Sequence, residues 1–94
     1  MERAAKHQRT VELVNRLGLH ARAASKFVQE ASRFQAEIRV RHNDEEVNGK
    51  SILGLLLLAA PCGSKLTISA EGVDAEEALQ ALVQLVADRF GEPS

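Results

Sequence analysis

Apolar and polar positions along this chain repeat with two different periods, and the switches between them mark out the elements. Thr10 to Asn15, TVELVN, puts Val11 and Leu13 on one side and Thr10 and Glu12 on the other, which predicts a strand with one wet face. From about His20 the spacing becomes helical. Ala24, Phe27, Val28 and Ala31 share one face, with Phe34 just beyond, and Lys26, Gln29, Glu30 and Arg33 take the other. Ala36 to Arg41 alternates again, with Ala36, Ile38 and Val40 inward. Asn43 and Asp44 tolerate turn conformations, and a short strand over Glu46 to Asn48 would close a hairpin. Ser51 to Ala60 reads as a compact apolar helix that stops at Pro61, because proline disfavours helix in the residue before it. Lys65 to Glu71 alternates, with Leu66, Ile68 and Ala70 inward, until Gly72. Asp74 and Glu77 have the spacing of a capping box. The helix they open carries Ala75, Ala78, Leu79, Leu82, Leu85, Val86 and Phe90 on one face, and Gly91 and Pro93 end it.

The predicted order is strand, helix, strand, strand, helix, strand, helix. Strands with one polar face imply an antiparallel sheet whose other face is covered by helices. The expected fold is an α/β (α+β) two-layer sandwich. Ninety-four residues make a single domain, 1–94, with residues 1–9 expected to be a flexible extension. With no Trp, no Tyr and three Phe, the core must be aliphatic. A net charge of −1 supplies no basic excess for nucleic acid, and there are no aromatic platforms for stacking bases. The single Cys62 forms no internal disulfide, which points to a reducing compartment. The charged start, MERAAKHQRT, does not read as a secretory signal. The longest apolar run, Ile52 to Pro61, is far short of the ~20 residues that span a bilayer, so no membrane insertion is expected and the protein is placed in the cytoplasm. His7, His42 and Cys62 have no zinc-ligand spacing, and VNGK lacks the glycine framework of a phosphate-binding loop.

One stretch asks for chemistry. In NRLGLHARAAS, Asn15 to Ser25, a histidine and an arginine open a helix. A helix N-terminus offers unpaired N–H groups and the positive end of the macrodipole, a ready site for an anion. A neutral imidazole there is a nucleophile, and a phosphoryl group on His20 would face those donors, with Arg22 as a forked, permanently charged partner. Gly18 lets the chain turn sharply into the helix. On spacing alone, a polar cap and a solvated arginine are the more ordinary reading.

GLHARAASKFV resembles the phosphorylation site of the HPr family, the histidine-containing phosphocarriers of the phosphoenolpyruvate:sugar phosphotransferase system. NGKSILGLLLLAA resembles that family's regulatory-serine helix, and KLTISAEGVDAEEALQALVQLVADRFGE its last strand and helix. The resemblance runs from about Thr10 to Glu92. It implies the family's open-faced β-sandwich, order βαββαβα, with a four-stranded antiparallel sheet under three helices. It also implies that His20 accepts a phosphoryl group on Nδ1, that Arg22 steadies it, and that Ser51 is a regulatory phosphosite for an HPr kinase/phosphorylase. Enzyme I is the implied donor and an Enzyme IIA-type protein the implied acceptor. The protein would be a relay and not a multiple-turnover enzyme, a monomer, with no cofactor and no metal. ILGLLLLAA has more leucine than one helix face can bury, so a docking patch beside His20 is expected from Leu19, Ile52, Leu53 and Leu56. The familiar motif has Pro where this chain has Ala23; alanine restores an N–H in the first turn, and the chemistry is expected to survive with altered tuning. The alternatives are a regulatory binding protein switched by phosphorylation, and a small-molecule-binding domain that shares the layer architecture.

Overall fold

A computed structural model describes residues 6–94. Four strands, β1 (Lys6–Glu12), β2 (Glu37–His42), β3 (Glu45–Asn48) and β4 (Lys65–Glu71), alternate with three helices, α1 (Ala21–Ala31), α2 (Ile52–Leu57) and α3 (Ala75–Ala87). A short 3₁₀ turn, Arg89–Gly91, follows. The sheet is antiparallel throughout, in the order β1-β4-β2-β3. This is the open-faced two-layer sandwich that the alternation predicts.

Register explains why one face is dry. Ile38 lies opposite Ala70 and Val40 opposite Ile68, and all four are buried together with Leu66. Glu37, Arg39 and Arg41, the intervening residues, are exposed. The helices cover the dry face. Ala23, Ala24, Phe27 and Ala31 of α1 meet Leu55 of α2 and Ala78, Leu82 and Val86 of α3 in one cluster. Its two largest side chains, Phe27 and Phe90, are aromatic, where the composition points to an aliphatic core; the rest of the cluster is aliphatic.

The structure departs from the sequence reading in five places, one of them the end of α3, which stops at Ala87 so that Phe90 falls in the 3₁₀ turn beyond it. β1 begins at Lys6, so Lys6 to Arg9 are ladder residues and not a flexible extension; residues 1–5 lie outside the described residues. These residues pair with Ile68 to Glu71 through backbone bonds, which a hydrophobic pattern does not register. β1 also ends at Glu12, before the expected Asn15; Leu13 is still held, because its N–H donates to the Ser64 carbonyl at 2.8 Å. α2 stops at Leu57, short of Ala60. Ala59 turns left-handed (φ 49°), and the Ala60 carbonyl accepts from Leu19 N–H at 3.0 Å, so this segment clasps the loop before α1 instead of extending the helix. Finally, Asp74 makes no side-chain cap on α3. Its carboxylate accepts from the backbone N–H of Gln35 (2.9 Å) and Ala36 (2.8 Å), tying the start of β2 to the start of α3. Those N–H groups, first that of Gln35, hold the Asp74 carboxyl below its ordinary value against the opposing effect of burial, with the Lys50 charge helping.

Candidate functional site

The loop that carries His20 is fixed from below. Gly18 has φ 66°, its N–H donates to the Asn15 carbonyl at 3.1 Å, and its own carbonyl accepts from His20 N–H at 2.9 Å. That sequence of turns leaves His20 extended (φ −79°, ψ 179°) as the N-cap of α1. The carbonyl of His20 accepts the first helical bond, from Ala24 at 2.8 Å. Its side chain accepts too: Arg22 N–H donates to Nδ1 at 3.3 Å. The cap reading and the chemical reading of this histidine therefore coincide. As the cap, Nδ1 presents a lone pair toward the open first turn of α1, where N–H groups and the helix dipole favour an anion.

The other ring nitrogen is held by the far end of the chain. Nε2 contacts the Glu92 carboxylate through Oε2. Glu92 in turn accepts from Asn15, whose Nδ2 donates to Oε1 at 3.0 Å and to the Gly18 carbonyl at 2.7 Å. Asn15 is fully buried and its Oδ1 has no partner. Flipping that amide would set its oxygen against the carboxylate and the carbonyl, so the two donor bonds fix its orientation. Burial pushes the Glu92 carboxyl up, but the hydrogen bonds from Asn15 and His20, with the Lys26 charge helping, outweigh it and hold the group below its ordinary range. Lys26 also donates to the Phe90 carbonyl at 2.7 Å, pinning the tail against α1.

These segments border an open cleft of about 570 Å³, lined by Arg16, Leu17, His20, Ala21, Arg22, Glu92, Pro93 and Ser94. Arg22 is exposed and, among the described residues, forms no ion pair. Arg16 is a second cation on the cleft that sequence reasoning missed. Asn15 and Glu92 were missed as well. Asn15 stood in the quoted stretch without a reason, and Glu92 lies 72 positions from His20, beyond any local pattern.

Ser51 is the N-cap of α2, and its hydroxyl accepts from Gly54 N–H at 3.0 Å. Around it, Ile52 and Leu53 are exposed and Leu56 is half-buried, while Leu55 and Leu58 face the core. Leu19 is buried (4% exposed), which removes it from the expected docking set: the N–H clasp to Ala60 draws it under the loop. Leu17 (67%), which lines the cleft, and Leu57 (66%) are exposed leucines as well. Ala23 is fully buried, and α1 begins two residues before it without the proline. Among the described residues, no group of three or more His, Cys, Asp or Glu could hold a metal ion, and no helix is long and apolar enough to cross a membrane.

Comparison with known proteins agrees with this geometry. The family model described as the PTS HPr component phosphorylation site matches residues 7–88. The phosphocarrier protein HPr of Neisseria meningitidis serogroup A is 48% identical over 85 residues, covering 90% of this chain and 96% of that protein. The phosphocarrier protein NPr of Shewanella violacea is 43% identical over 89 residues, covering 95% of this chain and 98% of that protein. The crystal structure of HPr-C-His from Thermoanaerobacter tengcongensis superposes with a TM-score of 0.90 at 45% identity, covering 94% of this chain and 99% of that one. A chain that folds as these do, with a histidine capping its first helix beside an unpaired arginine, belongs to the HPr family of phosphocarriers of the phosphotransferase system.

Proposed function

We propose that His20 accepts a phosphoryl group on Nδ1 from phosphorylated Enzyme I and passes it to an Enzyme IIA-type acceptor. One observation carries this reading: Nδ1 faces the open N-terminus of α1 in a cleft that also presents the Arg22 guanidinium. The helix N–H groups and Arg22 then bind the phosphoryl oxygens, with Arg16 available on the same cleft. Neither step needs a cofactor. The protein works as a monomeric relay in the cytoplasm, charged and discharged once per cycle, and not as a multiple-turnover enzyme. Transfer then depends on positioning and charge stabilisation. Ile52, Leu53 and half-buried Leu56, joined by Leu17 and Leu57, form the docking patch for both partners. Ser51 serves as a regulatory phosphosite for an HPr kinase/phosphorylase. A phosphate there would add about two negative charges beside the patch, repelling an acidic partner while the α2 N-terminus tolerates them.

The test is intact mass after incubation with Enzyme I and phosphoenolpyruvate, run beside the His20→Ala variant. A single acid-labile phosphoryl addition is expected in the native protein alone. Equal addition to His20→Ala would refute the assignment.

A further inference from the structure

The contact between the tail and His20 has a consequence for the chemistry. A neutral imidazole carries one N–H, and only the nitrogen without it can attack phosphorus. Here Nδ1 accepts from the Arg22 N–H, so the ring proton belongs on Nε2, where the Glu92 carboxylate receives it. We propose that Glu92 is a positioning residue for His20: its carboxylate, oriented by Asn15, holds the Nε2–H tautomer and so keeps a lone pair, and not a proton, on Nδ1, the nitrogen that attacks phosphorus.

The inference rests on the carrier reading above. In the step itself, the Nδ1 lone pair forms the N–P bond while the bond from phosphorus to the donor breaks, and the donor leaves with that electron pair. The Nε2 proton stays on the ring, which becomes cationic. Glu92, against Nε2, lies where that positive charge develops, on the side opposite the incoming phosphoryl group. Asn15 sets which oxygen does this. Its amide donates to Oε1, leaving Oε2 for the imidazole.

That division of labour makes glutamine a diagnostic replacement. In Glu92→Gln, the Asn15 donor selects the amide oxygen at the Oε1 position. The new NH₂ group then faces Nε2 and donates to it. Nε2 must become the acceptor, so the ring proton moves to Nδ1, against the Arg22 N–H, and the nucleophile is lost. Glu92→Ala only removes the carboxylate and leaves the ring free to sample both tautomers in water. The order of effect is therefore reversed from what simple loss of packing would give: the isosteric change does more harm than the truncation.

The experiment is ¹⁵N NMR of the His20 ring in the native protein and both variants, with the rate of phosphoryl acceptance from Enzyme I and a thermal melt for each. Expected results are a protonated Nε2 and unprotonated Nδ1 in the native ring, a mixture in Glu92→Ala, and a reversed tautomer in Glu92→Gln. Acceptance slows about tenfold in Glu92→Ala and further in Glu92→Gln, the range seen when an outer partner that sets a histidine tautomer is removed. A native ring protonated on Nδ1 would overturn the proposal without any variant. So would an unchanged tautomer and rate in folded Glu92→Gln. Failure of the native protein to take phosphate at all, with its Nε2–H tautomer intact, would count against the carrier reading and not against the positioning contact.

Discussion

Replacing Gly18 by alanine should damage the His20 loop through backbone atoms alone. Gly18 sits at φ +66°, and a Cβ there would lie 2.6 Å from the Ala60 carbonyl oxygen and 2.8 Å from both the carbonyl carbon and Cα of Pro61. None of these atoms can rotate away, so the chain must move. The left-handed conformation itself costs about 1–2 kcal/mol for an L-residue. Forcing a methyl into a filled space adds about 1–3 kcal/mol. The sum, roughly 2–5 kcal/mol, is a large share of the roughly 5–14 kcal/mol expected for a domain of 94 residues. At about 4–8 °C per kcal/mol, the melting temperature should fall by roughly 8–40 °C. The chain has no Trp or Tyr, so far-UV circular dichroism in urea is the assay. Gly63→Ala is the internal reference. Gly63 is also at positive φ (+91°), but its Cβ would meet nothing within 4 Å, so it bears the conformational cost without the collision. Gly18→Ala should exceed it by about 1–3 kcal/mol. Equal losses at the two sites would refute the steric reasoning. The Leu19–Ala60 bond spans the same contact, so Gly18→Ala should also slow phosphoryl acceptance more than its unfolded fraction explains.

Ser51→Ala should cost about 1 kcal/mol by removing the cap on Gly54, whereas Ser51→Asp restores an acceptor and should leave the urea midpoint within a few tenths of a kcal/mol of native. Asp74→Asn should lower stability at neutral pH, because Gln35 and Ala36 donate to different carboxylate oxygens and asparagine turns one of these into an NH₂ donor facing an N–H. Asp74 is held below its ordinary 3.8, chiefly by the Gln35 N–H. Its contribution is therefore present above that value and is lost as pH falls further. The gap between native and Asp74→Asn midpoints should narrow as the pH is lowered through the acid range below 3.8, and a constant gap would sink the argument.

Most of the fold was legible because β2, β4 and the helix faces combine one-sided burial with an unambiguous period. β4 runs from Lys65 to Glu71, as its alternation predicts, and Ala36, Ile38 and Val40 are all buried. What the pattern missed were features made by backbone hydrogen bonds. Lys6 to Arg9 are strand because β4 offers them partners, although their side chains are polar. Asp74 has every local mark of a helix cap, yet two N–H groups of the turn before β2 capture its carboxylate. Of the candidate site, the place of His20 and Arg22 at a helix start was readable from the pattern, while the resemblance, not the spacing, gave them their proposed roles. Leu19 was misassigned because apolar character does not reveal which side of a loop faces the core.

Glu92 shows why the remainder of the site was not readable. No local preference carries the tail to His20. Arg89 and Phe90 both sit in the left-handed region, at φ 57° and 54°, which opposes this course by about 1–2 kcal/mol each. Burial of the Phe90 ring, 1% exposed, returns about 2–3 kcal/mol, and the Lys26 bond to its carbonyl about 1 more. The tail thus turns back because an aromatic side chain finds the core, and the carboxylate two residues later arrives at the imidazole as a result. The Glu92 contact to His20, and with it the proposed positioning of the imidazole, is in this way tied to packing at Phe90. A conservative core change at Phe90 would release Glu92 from Nε2 without touching the cleft, and a reader of sequence alone would have placed that residue among the structural ones.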